Sequence, residues 1–392
     1  MLKKRKNSPE PTIVLMNCLS SVSGGAVSYL RNLSPLLLAR FKASLGEHKL
    51  IFLAHESQWE LFAGVPDGHC HWIGGTRPTG WRRVVWECRN LDRIVNETGA
   101  EVLFTPYQIA TSVSGVKQVL MLRNMEPFLF GRYRYSWNTA LRNRLLARSS
   151  RQSLRCADRI IAVSAFARDY LVDELDITPD RIRSVYHGRS EALAERGDAE
   201  WDRSLLADLG VNGRFVLTCG SLLPYRRCED VIRAFDAIAR KLPDGMQLVI
   251  AGSGTDQRYG ALVRETIAKA SARSRILLAS HVAWDKMKAL YRQCDACVIA
   301  TEIEACPNIA IEAMTAGCAI IANDKPPLPE MFDTASHSYR ARDISHLAEG
   351  MAQVIRDEQL RETLRARSLK RAEHFSWATC ADETYAALTD WS

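Results

Sequence analysis

Residues 302–320, EIEACPNIAIEAMTAGCAI, set two carboxylates, Glu304 and Glu312, among alanine, isoleucine, methionine and cysteine. Pro307 suits the first turn of a helix and Gly317 its end, and residues 318–322 then read as a short buried strand. Glu312 therefore falls mid-helix, five residues beyond Pro307, about 7.5 Å along the axis. A carboxylate left unpaired among such neighbours costs several kcal/mol or shifts its pKa. The spacing predicts a polar partner: ligand hydroxyls, with water or a cationic side chain standing in when the ligand is absent. Either glutamate could equally be held by an arginine.

Working outward, apolar runs at 215–219, 248–251, 276–278, 297–300 and 319–322 are each separated by about one helix. An earlier series at 13–16, 50–54, 102–104, 119–122, 160–163 and 184–186 alternates with helical patterns, clearest at 82–97 and 136–155. Pro35 is expected to interrupt the first helix. The charged stretch from Ser190 to about Asp202 reads as a linker. The pattern is α/β, two Rossmann-like domains with mainly parallel sheets, expected at 1–189 and 190–375, with a helix over 376–392 packing back toward the first. Ligands of such sheets lie beyond the carboxyl ends of the strands, so a cleft between the two domains is expected.

The 392 residues, 47% of them hydrophobic, suffice for two cores. No run of about 18 apolar residues occurs, and MLKKRKNSPEPTIVLMNCL has too short an apolar segment for a signal peptide, which points to a cytoplasmic protein. Eleven scattered cysteines, an odd number, suit reduced thiols. The net charge of +7 is uneven: residues 128–156 hold seven arginines and no acid. With Phe128, Phe130, Tyr133, Tyr135 and Trp137 nearby, that segment suits an anionic membrane surface, which would place the protein peripherally on the inner face of the plasma membrane. The alternative is a solvated arginine-rich helix burying Leu141, Leu145 and Leu146. Nucleic acid is not an expected partner.

Four loops after strands could hold an anion or sugar. Gly24 and Gly25 open a helix after the first strand, where backbone N–H groups can approach a diphosphate, or they form a plain turn. Arg226 and Arg227, in TCGSLLPYRRCEDVIRAF, could neutralise a leaving diphosphate or simply face solvent. AGSGT, residues 251–255, is a tight loop without the full G-x-G-x-x-G pattern. The fourth loop carries Glu304. Cys294-x-x-Cys297 has no second pair at zinc-site spacing, and His69-Cys70-His71 is equally weak. No D-x-D occurs.

The series GSLLPYRR, LVIAGSGT, YRQCDACVIATEIEACPNIAIEAMTAG and PPLPEM resembles the retaining, nucleotide-sugar-dependent group 1 glycosyltransferases of GT-B fold. Glu304 and Glu312 match that family's E-x7-E pair. The resemblance implies that Glu312 holds the nucleotide ribose and that Glu304 contacts the transferred sugar. It implies that Ala305, Cys306, Pro307 and Asn308 line that sugar and that Val282 lies near the base. Arg226 falls where the family usually has a lysine on the diphosphate; Ser221 falls where many members have an arginine, a lost cation for which Arg227 could compensate. No metal or other cofactor is implied, the donor being a nucleoside-diphosphate sugar. LRNMEPF, residues 122–128, replaces the frequent histidine of the first domain and leaves Asn124 and Glu126 as acceptor-side candidates. Its form resembles a branch associated with bacterial surface polysaccharides, which implies a lipid-carried or oligosaccharide acceptor. Two competing expectations are a sugar-nucleotide epimerase of similar fold and a non-catalytic ligand-binding protein.

Overall fold

The computed structural model describes residues 12–391 apart from Ser23, Arg196 and Thr255, so the first eleven residues of the amino-terminal segment and the last position of AGSGT lie outside the described residues. Among the described residues thirteen strands form two sheets. The first holds β1 (Thr12–Asn17), β2 (His48–His55), β3 (Cys70–Ile73), β4 (Val102–Thr105), β5 (Lys117–Leu122), β6 (Arg159–Ala162) and β7 (Ile182–Ser184), in the order β3-β2-β1-β4-β5-β6-β7. The second holds β8 (Phe215–Cys219), β9 (Gln247–Ala251), β10 (Ile276–Ala279), β11 (Ala296–Ile299), β12 (Ile320–Asn323) and β13 (Ser336–Tyr339), in the order β10-β9-β8-β11-β12-β13. All described pairings are parallel. Each sheet therefore reverses its winding once, between β1 and β4 and between β8 and β11, the place where doubly wound sheets open a crevice for ligands.

The chain divides into two compact units. One comprises the residues up to Asn124, Leu146–His187 and the stretch from Ser376; the other comprises Met125–Leu145 and Gly188–Phe375. The expected boundaries took no account of Met125–Leu145, which clusters with the second sheet. In the first unit, the carboxyl-terminal helix Trp377–Thr389 packs on Gly25–Ala43. The Phe41 and Tyr385 rings meet edge-on at 5.0 Å, and Tyr385 Oη lies 2.8 Å from His48 Nδ1.

Pro35 does not interrupt the first helix, which runs unbroken through it from Gly25 to Ala43. Its ring is on the exposed side, where water can satisfy the carbonyl that loses its donor. The last strand of the first sheet is Ile182–Ser184 instead of 184–186. Two further strands, β3 and β13, escape the hydrophobic pattern. Both are edge strands of four residues, each with a single buried position, too short and too polar for alternation to register.

Candidate active site

The helix of the opening stretch spans Asn308–Thr315. It closes with Cys318 N–H donating to the Ala313 carbonyl and Gly317 N–H to that of Met314, the paired bonds of a Schellman stop. Glu312 is mid-helix and partly buried, as its spacing requires. Its partner is not a cation. The Tyr291 hydroxyl, on the helix Trp284–Gln293, donates to Glu312 Oε2 at 2.9 Å. Burial raises the Glu312 carboxyl above the ordinary glutamate range, opposed by that hydrogen bond. Tyr291 is fully buried, which pushes its own pKa well up and keeps it a donor. A neutral phenol satisfies one oxygen without adding the cost of desolvating a second charge.

Arg226 and Glu304, 78 positions apart in the sequence, form an ion pair at the winding reversal of the second sheet. Arg226 follows β8 and Glu304 follows β11, and these strands are neighbours. Both side chains are mostly buried, 15% and 13% exposed. Thr301 Oγ1 also donates to Glu304, at 3.1 Å. Burial raises the Glu304 carboxyl, outweighing Arg226 and Thr301, which pull it down, while nearby Glu126 adds to the rise. Burial works against the Arg226 charge, but Glu304, together with Tyr225, Cys219 and Cys228, outweighs it, and the Arg226 pKa is raised. The guanidinium also lies 5.4 Å from the Tyr225 ring centroid.

The two loops are joined by the Glu302 N–H donating to the Tyr225 carbonyl at 2.9 Å, and Asn323 Nδ2 donates to the Thr301 carbonyl at 2.8 Å. AGSGT has a structural part in this. A Cβ on Gly252 would stand 1.8 Å from the Gly220 carbonyl oxygen, and one on Gly254 2.1 Å from that of Leu222. Its glycines let the loop after β9 close directly on the loop that carries Arg226.

The other expected residues are distributed as follows. Ala305, Cys306 and Pro307 are buried and Asn308 half-buried, leading into the Glu312 helix. Ser221 is exposed, and Val282 is half-buried after β10. Arg227 does not stand beside Arg226 as a spare cation. It has a left-handed backbone (φ 53°) ahead of the helix Cys228–Ile238, and that helix's first-turn acids capture it, Glu229 at 2.8 Å and Asp230 at 2.7 Å. Glu126 is buried and accepts from Asn143 Nδ2 at 3.2 Å. The Asn124 carbonyl accepts from Gln108 Nε2 at 2.8 Å. In the first unit, Gly24 and Gly25 are exposed where the Gly25–Ala43 helix begins. Among the described residues no group of three or more histidine, cysteine or acidic side chains is gathered as a metal site, and none of the eleven cysteines is in a disulfide.

Sequence reasoning missed the cluster around Glu302. Its buried carboxylate accepts from Tyr133 Oη at 2.6 Å and from Arg342 Nη2 at 2.7 Å. Burial opposes its charge, but these donors hold its pKa below the ordinary range. The only local signal was a second glutamate two places before Glu304; its partners lie 169 and 40 positions away.

Two doubly wound parallel sheets of seven and six strands are the architecture of the two-domain GT-B proteins. The sequence pattern of Glycosyl transferases group 1 matches residues 207–371, and that of Glycosyltransferase Family 4 matches residues 23–192. The later part of the chain thus carries a group 1 glycosyltransferase region and the earlier part a glycosyltransferase family 4 region, and the chain resembles the bacterial surface-polysaccharide branch of these enzymes. The serotype-specific mannosyltransferase WbdA of Escherichia coli is 24% identical over 226 residues, 57% of this chain and 28% of WbdA. The O-antigen chain mannosyltransferase B of Escherichia coli is 23% identical over 245 residues, 62% of this chain and 63% of that protein. The matches thus span little more than a quarter of WbdA. Among solved structures, Anabaena HepE in complex with UDP and glucose shares the fold at a TM-score of 0.73 and 16% identity, covering 95% of this chain and 98% of HepE.

Proposed function

We propose that this chain is a retaining glycosyltransferase that moves a hexose-type sugar from a nucleoside diphosphate to a hydroxyl of a lipid-linked or oligosaccharide acceptor in O-antigen or other lipopolysaccharide-type synthesis. The carrying observation is the Arg226–Glu304 pair outside β8 and β11, with Glu312 on the helix that follows. Arg226 supplies fixed positive charge where a diphosphate gains negative charge on departure, so its contact strengthens in the transition state. The leaving group is then neutralised by the protein, with no metal assigned to the step. Glu304 keeps Arg226 aimed through their ion pair and faces the sugar when donor is bound. Glu312 offers ribose hydroxyls the acceptor capacity left over from Tyr291, since a carboxylate has about four lone-pair sites. The two glycosyltransferase regions support the reaction class, the mannosyltransferase relatives support a hexose and an O-antigen setting, and HepE's complex supports a nucleotide-sugar donor.

The test is incubation of the purified chain with UDP-, GDP- and dTDP-sugars, with and without glycan acceptors, reading released nucleoside diphosphate. Release with one donor class, abolished by Glu304→Ala, is the expected result. An isomerised donor with no nucleotide released would make the chain an epimerase, and no turnover of any donor would make it a binding protein.

A further inference from the structure

The helix Trp137–Cys156 turns its apolar stripe the unexpected way. Leu141 and Leu145 do not pack inward: with Trp137 they lie at i, i+4 and i+8 on the outer face, 42%, 60% and 77% exposed for Leu141, Leu145 and Trp137. The inward positions belong to Asn143, Ala147, Ser150 and Leu154. Propensity does not require large apolar groups on the wet side of a helix, and three in a row on one face call for a covering surface.

Charge says what that surface is. Arg132, Arg134, Arg142 and Arg144 surround the stripe and are all exposed, and three more arginines follow before Cys156. Three acids that meet residues 132–145 are buried on their inner side: Glu302 accepts from Tyr133, Asp256 from the Ser136 N–H at 3.1 Å, and Glu126 from Asn143; farther along, exposed Asp176 lies 3.9 Å from Arg155. Arg342, half-exposed over the Tyr133 ring, is paired with Glu302, so that buried acid leaves no uncompensated negative charge beneath the stripe. We infer that residues 132–145 form a docking surface for an anionic lipid bilayer, with Trp137, Leu141 and Leu145 entering the headgroup region and the arginines pairing with lipid phosphates. Trp137 suits the boundary, where an indole presents an apolar body and a polar N–H. The helix lies along the surface and does not cross it; among the described residues no helix is long and apolar enough to span a membrane.

The experiment is sedimentation of the full chain with phosphatidylglycerol-containing and with pure phosphatidylcholine vesicles, without donor, so that its outcome is independent of the transferase reading. The wild type should bind the anionic vesicles and lose affinity as salt rises. Arg134→Gln/Arg142→Gln/Arg144→Gln should weaken binding roughly 100-fold, at about fivefold per arginine held near an anionic surface. Leu141→Ser/Leu145→Ser, at exposed positions that leave the core untouched, should weaken it at high salt as well. Equal binding to both vesicle types, or unchanged binding in the arginine variant, would overturn the inference. So would a dimer without vesicles that Leu141→Ser/Leu145→Ser dissolves, since a second copy would then be the occupant.

Discussion

The two sheets share a strand order through their first six positions yet put different chemistry outside their winding reversals. Beyond β1 in the first sheet, Asn17, Arg83, Glu87 and Gln58 are committed to neighbouring side chains and backbone, while the buried Ser20 and Ser21 hydroxyls find no side-chain or backbone partner among the described residues. Asn17 donates to Glu87 at 2.8 Å, Arg83 pairs with Glu87 at 2.7 Å, and Gln58 donates to the Cys18 and Ser21 carbonyls. The loop leaves Val22, Gly24 and Gly25 exposed. Beyond β8 and β11 in the second sheet, the ionised pair Arg226–Glu304 and the raised carboxyl of Glu312 remain partly accessible. One topology thus serves two designs: a polar cluster that ties the end of β1 to the helix Gly80–Thr98, and a charged site whose groups have an unsettled balance of burial and pairing. Perturbed carboxylates held in a crevice are a mark of function more than of stability.

The sharpest way to break this contrast is at Arg226. Arg226→Ala should lower turnover by roughly 10²-fold or more, as expected for lost preorganised charge. It also leaves Glu304 unpaired, so melting should be followed in parallel, with a loss of roughly 3–5 kcal/mol as the upper bound for breaking a buried pair. Arg226→Lys should restore much of the turnover. Turnover within about twofold of wild type for the alanine variant would remove the second sheet's claim to the leaving group.

The next effect is at Glu312. Glu312→Gln should lower affinity for free nucleoside diphosphate by about 1.5–3 kcal/mol, measured by calorimetry. Stability of the empty protein should hold or rise. The sign follows from linkage: a carboxyl whose folded pKa is raised binds its proton more tightly in the native state, so stability falls as pH rises from the unfolded value through the folded one. The Gln variant escapes that loss. Its melting advantage should be absent below the ordinary glutamate range, grow as pH climbs through the raised pKa, and level off above it. Glu304→Gln should instead reduce transfer by about tenfold or more while leaving nucleotide affinity nearly unchanged. Nucleotide affinity lost only in the Glu304 variant would exchange the two assignments.

The smallest effect sharpens the first sheet's side. Gly24 has φ 55° and ψ −138°, next to a region that is nearly glycine-only, although no atom lies within 4 Å of where its Cβ would stand. Gly24→Ala should cost about 1–3 kcal/mol of stability from backbone strain. If the turn also meets donor, the donor KM should rise; unchanged kinetics in a destabilised variant would leave Gly24 a purely structural turn.

Alternating apolar runs and turn residues located eleven of the thirteen strands, because a buried strand writes its burial into its own residues. The edge strands β3 and β13, largely wet, wrote nothing comparable. Glu304, Glu312 and Arg226 were legible for the same local reason: a carboxylate or guanidinium beside an apolar run stands out wherever its partner is.

What sequence alone determined, then, was the two-series α/β plan, the helix between Pro307 and Gly317, and the need of Glu312 for a polar neighbour. Only the tertiary structure decided that this neighbour is Tyr291, that Arg227 belongs to Glu229 and Asp230, that Glu302 is claimed by Tyr133 and Arg342, and that Leu141 and Leu145 face outward. The physical reason is common to all four. Periodicity states that a helix has an apolar side and burial states that a charge needs a partner, but which surface covers that side and which partner arrives depend on residues brought together from distant parts of the chain.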